Sequence, residues 1–240
     1  MRWLLLSLIA MLVLPVQAAD YAREKKWADE VLPAVLVGDP VWLEDRPHKF
    51  LGLYTPAQDA KAALILVHGI GVHPDWGLIS TLRQRLPEAG YATLSVQMPV
   101  LKADAKGEDY PPTFPEAARR LHQAVAFLKG KGYGKVAIVS HSLGCRMSYA
   151  YLSSKRSGDV KAWVAIGTPG TEDWSALKPP ILDLYGANDL PPVLKHAPSR
   201  AKALKQTGSR QVKVDAADHF FEGQDAALLD NVKGFLDQAL

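Results

Sequence analysis

The chain has 240 residues, 48% of them hydrophobic and 22% charged, with a formal net charge of +3. That suits one well-cored domain, and the charge is too small and too evenly spread to imply a nucleic-acid or acidic-membrane partner. Cys145 is the sole cysteine, so an internal disulfide is excluded, and its place just after a strand marks it as a small buried residue.

At the N-terminus, Arg2 precedes an apolar run from Trp3 to Leu14, followed by Pro15-Val16-Gln17-Ala18. The small residues Val16 and Ala18 fit a signal-peptidase site with cleavage before Ala19, and the run is shorter than the roughly 18 to 20 apolar residues of a membrane span. Residues 1–18 therefore read as a signal peptide and 19–240 as one domain, periplasmic or secreted, with no stable membrane insertion after cleavage. Tyr21 to Leu36 reads as a helical lead-in. Two strands, Val41 to Asp45 and Lys49 to Tyr54, predict an antiparallel start.

The third strand, Ala63 to Val67, runs straight into His68-Gly69-Ile70-Gly71. Glycines let a chain bend close to a reacting centre, and backbone N–H groups there can hold a developing negative charge; Ile70 is the expected donor. The spacing is not the G-x-G-x-x-G of a dinucleotide site. A fourth strand, Ala92 to Gln97, leads into a polar, proline-bearing loop, Lys102 to Pro112. A helix then follows to Lys129 on the spacing of Ala117, Leu121, Ala124, Val125 and Leu128, with Thr113 and Glu116 as a capping box and His122 as a surface or packing residue.

The fifth strand, Val136 to Val139, ends in Ser140-His141-Ser142-Leu143-Gly144. Strand, small-x-Ser-x-Gly and helix in that order form the pattern of a nucleophile elbow, which lifts a serine hydroxyl clear of a sheet. Gly144 is as small as the turn demands; Ser140 stands where glycine is usual. Leu143, next after the serine, would supply the second N–H of an oxyanion hole. A serine hydroxyl needs a base to take its proton, and the base needs an acid to orient it. After a sixth strand, Ala162 to Ile166, the seventh, Ile181 to Tyr185, ends in Gly186-Ala187-Asn188-Asp189. The eighth, Gln211 to Val214, leads to Asp218-His219. Asp189 and His219 are the expected acid and base, with Asp173 and His196 as rivals. A closing helix is marked by Leu228, Leu229, Val232, Phe235 and Leu236.

The His-Gly turn, the elbow, the acid after the seventh strand and the late Asp-His together resemble the α/β-hydrolase superfamily, across nearly all of residues 19–240. His73-Pro74-Asp75-Trp76 and the stretch from Leu86 to Ser95 are also similar to an uncharacterised bacterial family of exported hydrolase-like proteins. The resemblance implies an eight-stranded, mostly parallel sheet flanked by helices on both faces. Only about ten residues, Thr171 to Pro180, separate the sixth and seventh strands, so there is no lid domain and the pocket is expected to be open. It further implies a serine hydrolase cleaving a small-molecule or lipid-like carboxylic ester through Ser142, His219 and Asp189, with no cofactor and no metal. The histidines show no ligand spacing with cysteines or acids. A different class remains open: a binding or envelope-assembly protein that keeps the fold without turnover.

Overall fold

The computed structural model describes residues 19–60 and 62–240; the signal-peptide reading of residues 1–18 lies outside the described residues. A single sheet of eight strands is built from β1 (Asp39–Asp45), β2 (His48–Thr55), β3 (Ala62–Val67), β4 (Tyr91–Val96), β5 (Val136–His141), β6 (Val160–Ile166), β7 (Ile181–Asn188) and β8 (Arg210–Asp218). The strand order is β1-β2-β4-β3-β5-β6-β7-β8. β2 pairs antiparallel with β1 and β4, and all other neighbours are parallel. This is the α/β-hydrolase fold, with the antiparallel start where the sequence predicts it.

Why the sheet sits between two helical layers is visible in β3. Ala63, Ile65 and Val67 join one core with α3 (Phe114–Gly130) and α4 (Leu143–Leu152). Ala62, Leu64 and Leu66 join the other with α2 (Gly77–Arg85) and α6 (Asp225–Ala239). Successive side chains alternate faces, so a strand covered on both sides reads as an unbroken apolar run. β3, β4 and β5 are buried along their whole length, whereas β8, at the sheet's edge, exposes Lys213 and Asp215. Charge on an edge strand opposes pairing with another chain. The lead-in α1 (Tyr21–Val31) covers Leu51 and Leu53 of β2 with Ala28 and Val31.

One local expectation is corrected. Thr113 and Glu116 do not form a capping box: the Thr113 hydroxyl donates to the Tyr110 carbonyl at 2.8 Å, and Glu116 accepts from Arg120 at 2.6 Å. Thr113 ends a short 3-10 turn in a helical conformation, so its hydroxyl points back to Tyr110 and not forward to the Glu116 N–H that a capping box would use.

The carboxyl end of the sheet is braced from below by a buried ion pair. Arg200 of α5 (Pro191–Ala203) places Nε at 3.0 and 2.9 Å from the two Asp183 oxygens on β7, and its Nη1 donates to the Thr168 and Val193 carbonyls. Gln211 of β8 donates to Asp183 as well. The pair ties α5, β7, β8 and the loop after β6 together. Removing one member of a buried pair leaves the other charge without compensation. Asp183→Ala is expected to lower the free energy of urea unfolding by about 3–5 kcal/mol, and Asp183→Ala with Arg200→Met to restore much of it. A loss under about 1 kcal/mol would mean that the pair is peripheral to stability.

Candidate active site

Strand order reverses about β3 and β5, whose neighbours run outward in opposite directions. Ligands of open α/β sheets bind in the crevice at the carboxyl ends of such strands. Here that crevice lies between His68-Gly69-Ile70, after β3, and Ser142, after β5. Ser142 has φ 55° and ψ −125°, a conformation that an L-residue holds only at a cost of about 1–3 kcal/mol. Its N–H donates to the Ile166 carbonyl of β6 at 2.8 Å, and its own carbonyl accepts from Cys145 N–H at 2.9 Å. A methyl group at Gly144 would lie 2.4 Å from the His68 carbonyl oxygen and 2.8 Å from that of Val67, so only glycine lets α4 begin so close to β3. Ser140, in the usual glycine position, is wholly buried, and its hydroxyl accepts from the Trp163 indole N–H at 2.7 Å. The departure from the pattern is thus filled by a specific partner on β6.

Beyond β8, His219 returns over the sheet to Ser142. Its Nε2 lies 3.0 Å from the Ser142 hydroxyl oxygen and its Nδ1 2.6 Å from Asp189 Oδ1. An ionised carboxylate only accepts, so Nδ1 carries the proton and Nε2 is left to accept from the serine. Asp189 is oriented by two more donors, the N–H groups of Leu190 at 2.7 Å and Gly186 at 3.3 Å. All three side chains are buried, with Ser142 at 7% exposure. Gly167, directly after β6, has φ 59°, and a methyl group there would press to 3.0 Å on His219 Nδ1. The rivals do not join this chain: Asp173 is exposed and caps the turn at Ser175, and His196 lies on α5.

The turn after β3 is held from beneath. His68 is buried; its Nε2 accepts from Met98 N–H at 2.9 Å, so Nδ1 carries the proton and donates to the Gly69 carbonyl at 2.8 Å. In a trans peptide the C=O and the following N–H point opposite ways, so this grip fixes the direction of the Ile70 N–H. A methyl group at Gly69 would come within 3.2 Å of Ser142 Cβ, which shows how near the turn lies to the serine. Leu143 opens α4, so its N–H has no acceptor inside the helix.

His141, the residue between the two elbow serines, has a place that the sequence reading did not assign. Its Nε2 donates to the His219 carbonyl at 2.9 Å, and the two rings lie 4.7 Å apart. Its position inside the elbow was the available signal. Gly167 offered another, as a glycine ending a strand beside the acid. Around the site the surface is apolar: Ile70, Trp76, Leu190 and Phe220 are each more than a third exposed, and Trp76 meets Phe220 edge-on at 5.4 Å.

Burial holds both His68 and His141 neutral, lowering each from 6.5 to about 3. The unfolded chain protonates both as pH drops through 6.5 while the folded chain does not, so stability present above 6.5 is lost on acidification toward 3. Glu24, raised by burial to about 7, acts oppositely between 7 and its ordinary 4.5, as does Asp183, also raised by burial, while His73, lowered by burial, acts with His68 and His141. The unfolding free energy is expected to fall between pH 6.5 and 4. His141→Gln should flatten that slope by up to about 1.4 kcal/mol per pH unit, one proton's share. An unchanged slope would mean that His141 is already charged in the folded protein.

Comparison with known proteins comes to the same fold. A family model described as "Protein of unknown function (DUF3530)" matches residues 15–119 and 103–238. No curated protein matches the sequence. Among solved structures, a dienelactone hydrolase from Anabaena variabilis is similar at 22% identity and a TM-score of 0.71, over 84% of this chain and 97% of that one. An α/β serine hydrolase without a lid from Xanthomonas campestris matches at 14% identity and 0.64, over 86% and 96%. An esterase from Pyrococcus furiosus matches at 14% and 0.67, over 84% and 92%.

Proposed function

We propose that this chain, which belongs to the DUF3530 family of proteins of unknown function, is an exported serine hydrolase that cleaves carboxylic esters. The observation that carries the reading is the unbroken run of hydrogen bonds from Asp189 through His219 to the Ser142 hydroxyl, at 2.6 and 3.0 Å. Export rests on the leader-like residues 1–18 of the sequence.

In this reading Ser142 Oγ attacks the ester carbonyl carbon as His219 Nε2 takes its proton. The imidazolium that forms is stabilised by Asp189. The carbonyl oxygen becomes an oxyanion received by the N–H groups of Ile70 and Leu143, the latter at the positive end of α4. Collapse of the tetrahedral intermediate breaks the bond to the alcohol oxygen, which leaves with the proton from His219. Water then attacks the acyl-serine, His219 takes one of its protons, and the acid departs as Ser142 regains its hydrogen. No group beyond the chain's own side chains and water is needed for the balance. The apolar rim of Ile70, Trp76, Leu190 and Phe220 favours a substrate with an alkyl or aryl portion. The fold hosts many chemistries, so ester rather than amide cleavage rests on its commonest use.

The second reading, a non-catalytic binding or envelope-assembly protein, draws on Ser140 in the glycine position of the elbow. It requires an unreactive Ser142. Turnover of 4-nitrophenyl acetate and hexanoate separates the two. Ser142→Ala is expected to lower kcat by about 10⁴–10⁶-fold. Trp76→Ala and Phe220→Ala are expected to reduce the preference for hexanoate over acetate by about tenfold, since buried methylenes are worth about 0.8 kcal/mol each. Intact turnover in the serine variant would exclude the mechanism, and an unchanged preference would exclude the apolar rim as the acyl site.

A further inference from the structure

The turn proposed to carry one oxyanion donor has a second support, and it comes from outside the central sheet. His68 holds the Gly69 carbonyl on one side of Ile70. On the other side, Arg23 of α1 places Nη2 3.2 Å from the Gly71 carbonyl and Nη1 2.6 Å from the Leu101 carbonyl. Gly71 has φ 65°, a conformation that glycine reaches freely but also leaves freely, so the turn does not fix itself at this end. A guanidinium forks two directed donors from one rigid plane, which pins the Gly71 turn and the loop after β4 to a common point.

Arg23 is itself held. It stacks over Trp27 at 4.4 Å, and its N–H is accepted by the Asp20 carboxylate at 3.0 Å at the start of α1. Trp27 in turn meets His73, further along the same turn, edge-on at 5.8 Å. The helix is fixed to the body by Glu24, whose two carboxylate oxygens accept from the buried Arg120 at 2.9 and 3.2 Å and from Val100 N–H at 3.3 Å. α1 is thus anchored at Glu24 and reaches the Gly71 turn through Arg23.

We propose that Arg23 is a positioning residue: with His68 it clamps the carbonyls of the two glycines on either side of Ile70, so that the Ile70 N–H meets the oxyanion without reorganisation. This rests on the serine-hydrolase reading above. An interaction that serves the transition state alone lowers kcat when removed and leaves ground-state binding in place.

The test uses the full-length protein with Arg23→Met, which keeps the stem over Trp27 and removes the donors, and with Arg23→Lys. The readouts are kcat and KM on 4-nitrophenyl acetate, the Ki of an aliphatic trifluoromethyl ketone whose serine adduct bears an oxyanion, and Tm. Loss of an entire oxyanion donor costs about 10²–10³-fold, and a donor left in place but loosened should cost about tenfold. Arg23→Met is therefore expected to lower kcat and weaken the ketone by about tenfold each, with KM within about twofold and Tm little changed. Arg23→Lys, which can still reach one carbonyl, should recover part of both. If Arg23→Met does not fold, the ratio of ketone Ki to KM in Arg23→Lys decides: a raised ratio supports the assignment and the wild-type ratio overturns it. A reactive wild type with unchanged kcat and ketone affinity in Arg23→Met overturns the role of Arg23 alone. A wild type that neither turns over ester nor binds the ketone overturns the hydrolase reading, and this assignment with it.

Discussion

Ser142 is compelled into a left-handed backbone conformation by the tight passage from β5 to α4, and the site is arranged around that compulsion. The chain must leave a fully buried strand in the middle of the sheet and enter a helix within one residue. It can do so only because Gly144 presses its backbone against the Val67 and His68 carbonyls, where any side chain would collide. The same contact brings the His68 turn against the elbow. Ser142 and the Gly69 turn are therefore near neighbours by a packing requirement, before any chemistry is considered.

Around this fixed point the other parts arrive from strands of increasing distance. β8 lies three places from β5, yet it carries His219 back to Ser142, helped by the irregular pairing with β7 near Asn188 and by the positive φ of Ala216. The approach is kept by small residues below and a tether above. Gly167 leaves room under the His219 ring, and His141 draws the His219 carbonyl toward the elbow. Neutrality matters as much as position, because a charged His141 would place a cation beside the proposed base. Burial opposes that charge.

The fold was legible because its central strands are buried on both faces and therefore appear as continuous apolar runs with the turn residues directly after them. All eight strands lie where those runs predict; most are extended by up to four residues at their ends, as in β8, whose exposed residues blur its limit, while β4 stops at Val96, one residue short of the expected Gln97. Ser142, His219 and Asp189 were legible for the same reason: each follows a strand, and the structure brings His219 within hydrogen-bonding distance of both Ser142 and Asp189. The contributions of Trp163 to Ser140, His141 to His219 and Arg23 to Gly71 were not, because each links residues that no spacing rule relates. The capping box failed because Thr113 closes a 3-10 turn in a helical conformation, where its N–H and its hydroxyl both donate to the Tyr110 carbonyl.

The central claim is that Ser142 is an activated nucleophile, and intact-mass analysis after exposure to a fluorophosphonate tests it most directly. The account predicts a single covalent adduct on the wild-type protein, located at Ser142 and absent from Ser142→Ala. A folded wild-type protein that takes up no adduct, or takes it up equally after the substitution, would contradict it.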